Sequence, residues 1–360
     1  MKIMQVIPYF CFGGAETMCE SLTYELKKLG HQVCVVCLLP EQTPISRRME
    51  EAGVRIIHLD KKLGLDLSMI PKLARLMKQE KPDVVHTHLN VIKYAAPAAK
   101  LAGVPVCVHT VHNVAQEEAE GRLQKITNRI FFCRGWAVPV ALSPKVQKSI
   151  EAFYDMKPEQ IPMIYNGIDL ERCRIKENYA AEELRLIHIG RFNAQKNHRG
   201  LLDAFALIQK KLPGCRLELL GDGELRAEVE AYVRELGISE QVFFRGNQPD
   251  VHPYLHDADV FLLPSKFEGM PMTIIEAMGT GLPVVATAVG GVPDMFTDGE
   301  SGFLVSEDPQ QIAEAILRLA ESETMRRDMG QKARAESVRF SAAYMAKCYC
   351  DVYEKGGKGL

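Results

Sequence analysis

Apolar residues in this chain come in short runs, and the runs alternate with segments of helical spacing. In the first half the runs are Ile3–Pro8, VCVVCLL, VRIIHL, PDVVHTH and PVCVHTVH. After the first of them, Met18, Leu22 and Leu26 recur at four-residue spacing, and Gly30 stops that pattern. Helices are likewise predicted around 70–79 and 95–102. Short apolar strands alternating with helices indicate βαβ units around a parallel sheet buried on both faces.

The rhythm pauses at the turn Asn166-Gly167-Ile168-Asp169 and a polar stretch, ERCRIKENYAAEE, and then restarts. LRLIHIG, RLELLG, QVFFRG, DVFLLPS and LPVVAT supply a second set of strands. The predicted organisation is α/β throughout: a first domain over 1–167, a linker over 168–184 and a second domain over 185–340. A closing helix over 341–357 either packs on the second domain or crosses back to the first, and the division adopted here places it with the first. A length of 360 residues suits two domains better than one core.

With 47% hydrophobic and 25% charged residues, the composition is that of an ordinary globular protein. A net charge of −2 argues against a nucleic-acid partner. Ten cysteines invite a disulfide or metal reading. Several sit inside apolar runs, and Cys34 and Cys37, three apart in a strand, point to opposite faces. Reduced structural cysteines and a cytoplasmic address are expected. The amino terminus lacks the apolar stretch of a signal peptide, and no run approaches the ~20 residues that span a bilayer.

Ligands of open parallel sheets gather beyond the carboxyl ends of the strands. Three loops there carry chemistry. Gly13 and Gly14 stand between the first strand and first helix, where absent side chains and free N–H groups favour an anion. Arg191 and Lys196, five apart on the loop after LRLIHIG, could converge on a diphosphate. Glu268 lies in the loop after DVFLLPS, and Glu276 lies inside the next helix. Between them Gly269-Met270-Pro271 opens that helix, a second terminus suited to negative charge. Asp257-Ala258-Asp259 imitates a metal-binding D-x-D string. It precedes its strand, at the wrong end of the sheet, so it is read as structural.

The run from Glu268 to Glu276 resembles the E-x7-E motif of glycosyltransferase family 4, group 1, the retaining enzymes of GT-B fold. GGAE, YNGID, GRFNAQKN, GDGE, PSKFEGMP, AVGGVPD and SGFLV follow in the family's order along nearly the whole chain. The resemblance implies two Rossmann-like domains facing across a cleft and transfer of a sugar from a nucleotide-sugar, with UDP preferred. The acceptor would be a glycan or lipid-linked glycan of bacterial surface polysaccharide. It implies Arg191 and Lys196 on the diphosphate, Glu276 on the ribose and Glu268 on the sugar with the backbone of Gly269, Met270 and Pro271. Gly13 and Gly14 would meet the donor from the first domain, and Asn247 would clasp the base. A histidine near the transferred sugar is also implied: of His109 and His112, His112 is favoured because it follows the apolar run. No metal or other cofactor is expected. A nucleotide-sugar epimerase of the same architecture and a silent nucleotide-sugar-binding module are the alternatives.

The segment Gly121–Trp136 interleaves Arg122, Lys125, Arg129 and Arg134 with large apolar residues. It reads either as an interfacial helix on anionic lipid, giving peripheral membrane contact, or as a half-buried helix with a solvated basic face. The second reading is the plainer.

Overall fold

The computed structural model describes residues 1–11, 13–119 and 121–356. It divides into two compact units, Met1–Ile168 with Ala342–Leu360, and Asp169–Ser341. The end of the predicted closing helix, at 357, and the glycine-lysine tail lie outside the described residues.

The first unit runs β1 (Lys2–Ile7), α1 (Gly14–Lys28), β2 (Gln32–Cys37), α2 (Pro44–Glu51), β3 (Arg55–His58), α3 (Met69–Glu80) and β4 (Val84–His88). It continues α4 (Ile92–Ala102), β5 (Val106–Val111), α5 (Ala115–Glu118), α6 (Gly121–Cys133), β6 (Val138–Ala141) and α7 (Pro144–Tyr154). Its sheet is parallel, in the order β3-β2-β1-β4-β5-β6. Strand pleating sends Cys34 and Cys37 into different apolar clusters on the two faces of the sheet. All ten cysteines are free thiols.

The second unit holds β7 (Arg185–Ile189), α8 (His198–Gln209), β8 (Arg216–Leu220), α9 (Arg226–Glu235), β9 (Val242–Gly246), α10 (His252–Asp257) and β10 (Val260–Leu263). Next come α11 (Met272–Thr280), β11 (Val284–Thr287), β12 (Gly302–Val305), α12 (Pro309–Ala320) and α13 (Glu323–Ser337). Its sheet order is β12-β11-β10-β7-β8-β9, the same winding as the first. Leu186, Leu202, Phe205, Leu217 and Ile316 are among the side chains that fill its core. Each such side chain contributes about 1.5–3 kcal/mol relative to exposure.

Residues 169–184 pack onto this second unit and do not hang free. Buried Arg326 donates to the Tyr179 carbonyl (2.8 Å), Tyr179 donates to the Gly281 carbonyl (2.8 Å), and Lys176 pairs with Asp259 (3.2 Å). Asp259, the last acid of the D-x-D string, also accepts from the Arg185 amide at 2.9 Å, so its carboxylate is spent on holding the fold. The closing helix, α14 (Ala342–Lys355), belongs to the first unit and packs against α1.

In each sheet the strand order reverses between the first and fourth strands: β1 and β4 in one unit, β7 and β10 in the other. Loops leaving the carboxyl ends of these neighbours diverge and open a crevice. The candidate residues lie on these loops and their neighbours.

Candidate functional site

In the second unit the loop after β7 is folded by its own asparagines. The Asn193 side chain accepts from the Lys196 amide (3.3 Å) and closes a 3-10 turn over Ala194–Lys196. Asn197 takes the left-handed conformation (φ 51°), which asparagine tolerates, and caps α8 by accepting from the Gly200 amide (3.4 Å). The turn delivers Lys196 Nζ to 2.5 Å from Glu268 Oε1 in the loop after β10. Gln195 Nε2 donates to the Phe267 carbonyl (2.9 Å) and to Glu268 Oε2 (3.4 Å), and the Lys266 amide donates to the Gln195 carbonyl (2.8 Å). The two loops beside the crevice are thus stitched together through backbone and side chain. Arg191 lies at the exposed start of the first of them.

Glycine permits the next layer. At Gly290 (φ 60°) a side chain would overlap the Glu268 carbonyl oxygen, and the neighbouring Gly291 amide donates to the Gly269 carbonyl (2.9 Å). The AVGGVPD segment therefore braces Glu268-Gly269 by direct backbone contact. Gly221 (φ 125°) presses in the same way on the Gly190 carbonyl, beneath the Arg191 loop. Gly269, Met270 and Pro271 are buried and lead into α11, with Pro271 as its N-cap residue.

Glu276 lies one turn into α11 and is half-buried. Its carboxylate accepts no hydrogen bond among the described residues. Burial pushes it up to about 7, with nearby Arg172 opposing and Asp250 reinforcing the rise. Arg172 and Asp250 face each other at 3.8 Å. The sequence reading missed Arg172, because it lies in the polar stretch beyond α7 where nothing local marks it. No direct contact joins Glu276 to the Lys196–Glu268 pair. Asn247 is exposed on the loop after β9.

In the first unit Gly13 is the N-cap residue of α1 and Gly14 its exposed first residue. The Gly13 amide already donates to the Cys11 carbonyl (3.1 Å). Buried Glu16 lies against Gly13 and accepts from the Cys11 thiol (2.8 Å). The helix start thus carries an acid of its own, which favourably meets the helix dipole and narrows what the loop offers an outside anion.

His112 follows β5 directly. Its amide and that of Asn113 donate to Glu118 Oε2 (2.6 and 3.1 Å), so Glu118 on α5 fixes the loop. The other oxygen, Glu118 Oε1, meets His109 Nε2 at 3.0 Å inside the strand. Burial lowers His112 to about 4, with Glu118 opposing. His112 Nε2 lies 3.2 Å from Nδ1 of His88, the last residue of β4. His88 and Glu118 escaped the sequence reading; a polar residue in a strand buried on both faces was a signal for His88, whereas Glu118 lies on α5 and carries no such mark.

Two parallel six-stranded sheets of like winding, with cation and carboxylate loops at a switch point, are the GT-B architecture of nucleotide-sugar enzymes. HepE of Anabaena, solved in complex with UDP-glucose, has this fold: TM-score 0.87 and 20% identity, covering 99% of this chain and 100% of that one. The family model Glyco_transf_4, "Glycosyltransferase Family 4", matches residues 12–172, and Glycos_transf_1, "Glycosyl transferases group 1", matches residues 171–336. The chain belongs to glycosyltransferase family 4, group 1, and is a glycosyltransferase. The UDP-Gal:α-D-GlcNAc-diphosphoundecaprenol α-1,3-galactosyltransferase of Escherichia coli is 29% identical over 72% of both chains. The lipopolysaccharide core biosynthesis glycosyltransferase LpsE of Rhizobium meliloti is 26% identical over 94% of both.

Proposed function

We propose that this enzyme transfers a sugar from a UDP-sugar to a lipid-linked glycan during bacterial surface-polysaccharide synthesis, with retention of configuration. The observation that carries this reading is the Lys196–Glu268 contact between the two loops at the switch point of the second unit. Lys196 and Arg191 hold the donor diphosphate and stabilise the charge that builds on it as the bond to the sugar breaks. Glu268, with the backbone of Gly269, Met270 and Pro271, accepts from hydroxyls of the sugar. Glu276, with no protein partner for its oxygens, accepts from the ribose hydroxyls. Asn247 meets the base, Gly13 and Gly14 offer their backbone to the donor phosphate or sugar, and His112 serves the transferred sugar. Protein cations supply the charge compensation, so transfer persists in EDTA. The named relatives from E. coli and R. meliloti support the choice of acceptor.

The test is a thermal-shift panel of UDP-, GDP- and ADP-sugars followed by transfer assays on polyprenyl-linked acceptors. A UDP-sugar at a hundred times its dissociation constant adds about 2.7 kcal/mol of stability. Glu276→Ala should abolish that shift. Stabilisation by GDP- or ADP-sugars alone, or an undiminished shift in Glu276→Ala, overturns the assignment.

Peripheral contact with anionic membrane is part of the same proposal, and α6 is what supports it. Half-burial with a solvated basic face was the plainer sequence expectation; α6 is half-buried, and the face it leaves open carries large apolar side chains beside the basic ones. The helix buries Gln124, Asn128, Phe131 and Phe132, while Leu123 (71%), Ile126 (56%) and Ile130 (39%) stay exposed on one face. Exposed Arg122 and Arg134 border that face. Apolar insertion beside cations is the pattern of an interfacial helix on a lipid surface. No helix among the described residues is long and apolar enough to cross a membrane.

A further inference from the structure

Behind His112 lies a chain of buried hydrogen bonds whose direction can be read from its far end. Thr23 on α1 donates its one hydroxyl hydrogen to the Cys19 carbonyl (2.7 Å). Its oxygen can then only accept, and the partner is Gln5 Nε2 at 2.6 Å, which also reaches the Cys19 carbonyl at 3.4 Å. This fixes the Gln5 amide. Its nitrogen faces α1, and its Oε1 is left to accept from the Cys19 thiol (3.2 Å) and from His88 Nε2 (2.8 Å).

His88 Nε2 must therefore carry a proton. His88 is fully buried, and burial together with His86 and His112 holds it well below the usual imidazole range, so it is neutral. A neutral imidazole with its proton on Nε2 has a bare Nδ1, which accepts. The partner of that Nδ1 is His112 Nε2 at 3.2 Å, which must donate. His112 is itself neutral near pH 7, so its one ring proton is committed to His88. Its Nδ1 keeps a lone pair and takes no partner among the described residues.

We propose that Gln5 and His88 are positioning residues that lock His112 into the Nε2–H tautomer, presenting Nδ1 as a hydrogen-bond acceptor to a hydroxyl of the transferred sugar. The last clause rests on the role given to His112 above; the lock itself does not. The consequence for recognition is directional. His112 rewards a hydroxyl that donates, and a sugar lacking that hydroxyl, or bearing an ether there, leaves Nδ1 unpaired. The opposite tautomer would present an N–H and invert this preference. Only hydrogen bonds are exchanged, and no proton leaves the chain.

Histidine-selective 15N labelling of the full-length protein, with long-range 1H–15N correlation at pH 7.5, reads the tautomer directly. His112→Gln identifies the signal among the ten histidines. Wild type should show His112 protonated at Nε2 and bare at Nδ1. Gln5→Leu removes the acceptor that orients His88, and Thr23→Val frees the Gln5 amide to turn. Either should move proton density on His112 to Nδ1, while Thr23→Ser keeps the wild-type pattern. In the same variants kcat/KM with the UDP-sugar chosen by the thermal-shift panel should fall about tenfold or more, in kcat more than KM, with UDP affinity unchanged. A wild-type His112 protonated at Nδ1, or an unmoved pattern in both Gln5→Leu and Thr23→Val, overturns the lock. An inverted tautomer with undiminished turnover upholds the lock and overturns the role of His112 in transfer.

Discussion

Removing the Lys196 ammonium should cost the second unit stability, and removing its partner as well should restore it without restoring function. The Lys196 and Glu268 side chains are 15% and 6% exposed, and their charged atoms meet at 2.5 Å. In Lys196→Met the Glu268 carboxylate keeps one long contact, from Gln195 at 3.4 Å. Stripping a buried ion of its partner costs about 3–5 kcal/mol, and the partial exposure of Lys196 lowers this to about 2–3 kcal/mol. A unit of this size loses about 2–4 °C per kcal/mol, so its calorimetric transition should fall by roughly 5–10 °C. Lys196→Met/Glu268→Gln replaces the orphaned charge with an amide that still meets Gln195, and should regain most of that loss. The double variant nevertheless lacks the cation proposed to hold the diphosphate. Titration with a UDP-sugar should show at least tenfold weaker binding in both variants, and transfer should fall further still. A double variant no more stable than Lys196→Met would refute the burial argument. Wild-type donor affinity in either would refute the role of the pair.

Glu276 makes stability depend on pH in an unusual direction. Its carboxyl, raised from 4.5 to about 7, holds a proton more tightly in the fold than in the unfolded chain. Stability from this group is therefore full below about pH 4.5 and is lost as pH rises through 7. Glu276→Gln should match wild type at pH 4 and exceed it at pH 8, by at most about 3 kcal/mol and less because water reaches the side chain. Calorimetry across that range checks the sign; a variant less stable at pH 8 contradicts it. Tyr353→Phe should lower the transition of the first unit by roughly 3–10 °C, since it leaves His86 Nδ1, now 2.7 Å from the phenol, buried without a partner. Tyr349→Phe should cost less, because Thr110 keeps His86 Nε2 at 2.7 Å; equal losses would be against it. Replacing Leu123, Ile126 and Ile130 with serine should abolish sedimentation with phosphatidylglycerol vesicles and leave thermal stability unchanged. Equal binding of the triple variant would exclude α6 as the lipid-facing element.

The two sheets, the motif loops and the E-x7-E pair were readable from the chain because each depends on local order: strand period, glycine position, charge spacing. What stayed hidden depends on partners far away in sequence. His86 and His88 sit in VVHTH, and nothing nearby announces that Tyr353 and Gln5 will satisfy them. A clue was available in KIMQVI. A strand at the centre of a parallel sheet buried on both faces should be apolar throughout, and Gln5 is the exception. PISRRMEE carries few apolar residues, so apolar spacing does not mark α2; its Thr43–Ser46 capping box supplies the start signal instead. In α6 the period says correctly which residues share a face. It cannot say which face the rest of the molecule covers, and here that is the face bearing Gln124 and Asn128.

The same winding is put to opposite electrostatic uses in the two units. At the switch point of the second, an exposed arginine and a largely buried ammonium–carboxylate pair stand on loops braced by glycine backbone, so charge is concentrated and its buried members are paired. At the switch point of the first, fully buried Gln5 and His88 and half-buried His112 are joined by hydrogen bonds among neutral groups, so dipoles are ordered from the core outward. The difference follows from pairing. An imidazole as deep as His88 has no opposite charge beside it and cannot hold a proton at neutral pH, whereas Lys196 and Glu268 neutralise each other. In the proposed reaction a leaving diphosphate needs charge that is already in place, and a sugar hydroxyl needs one acceptor of fixed direction. Each unit supplies the kind of polarity that its pairing can sustain. Moving a charge into the first unit, as Gln5→Glu would, should therefore disrupt its hydrogen-bond order, whereas neutralising the second at Lys196 should weaken its grip on donor.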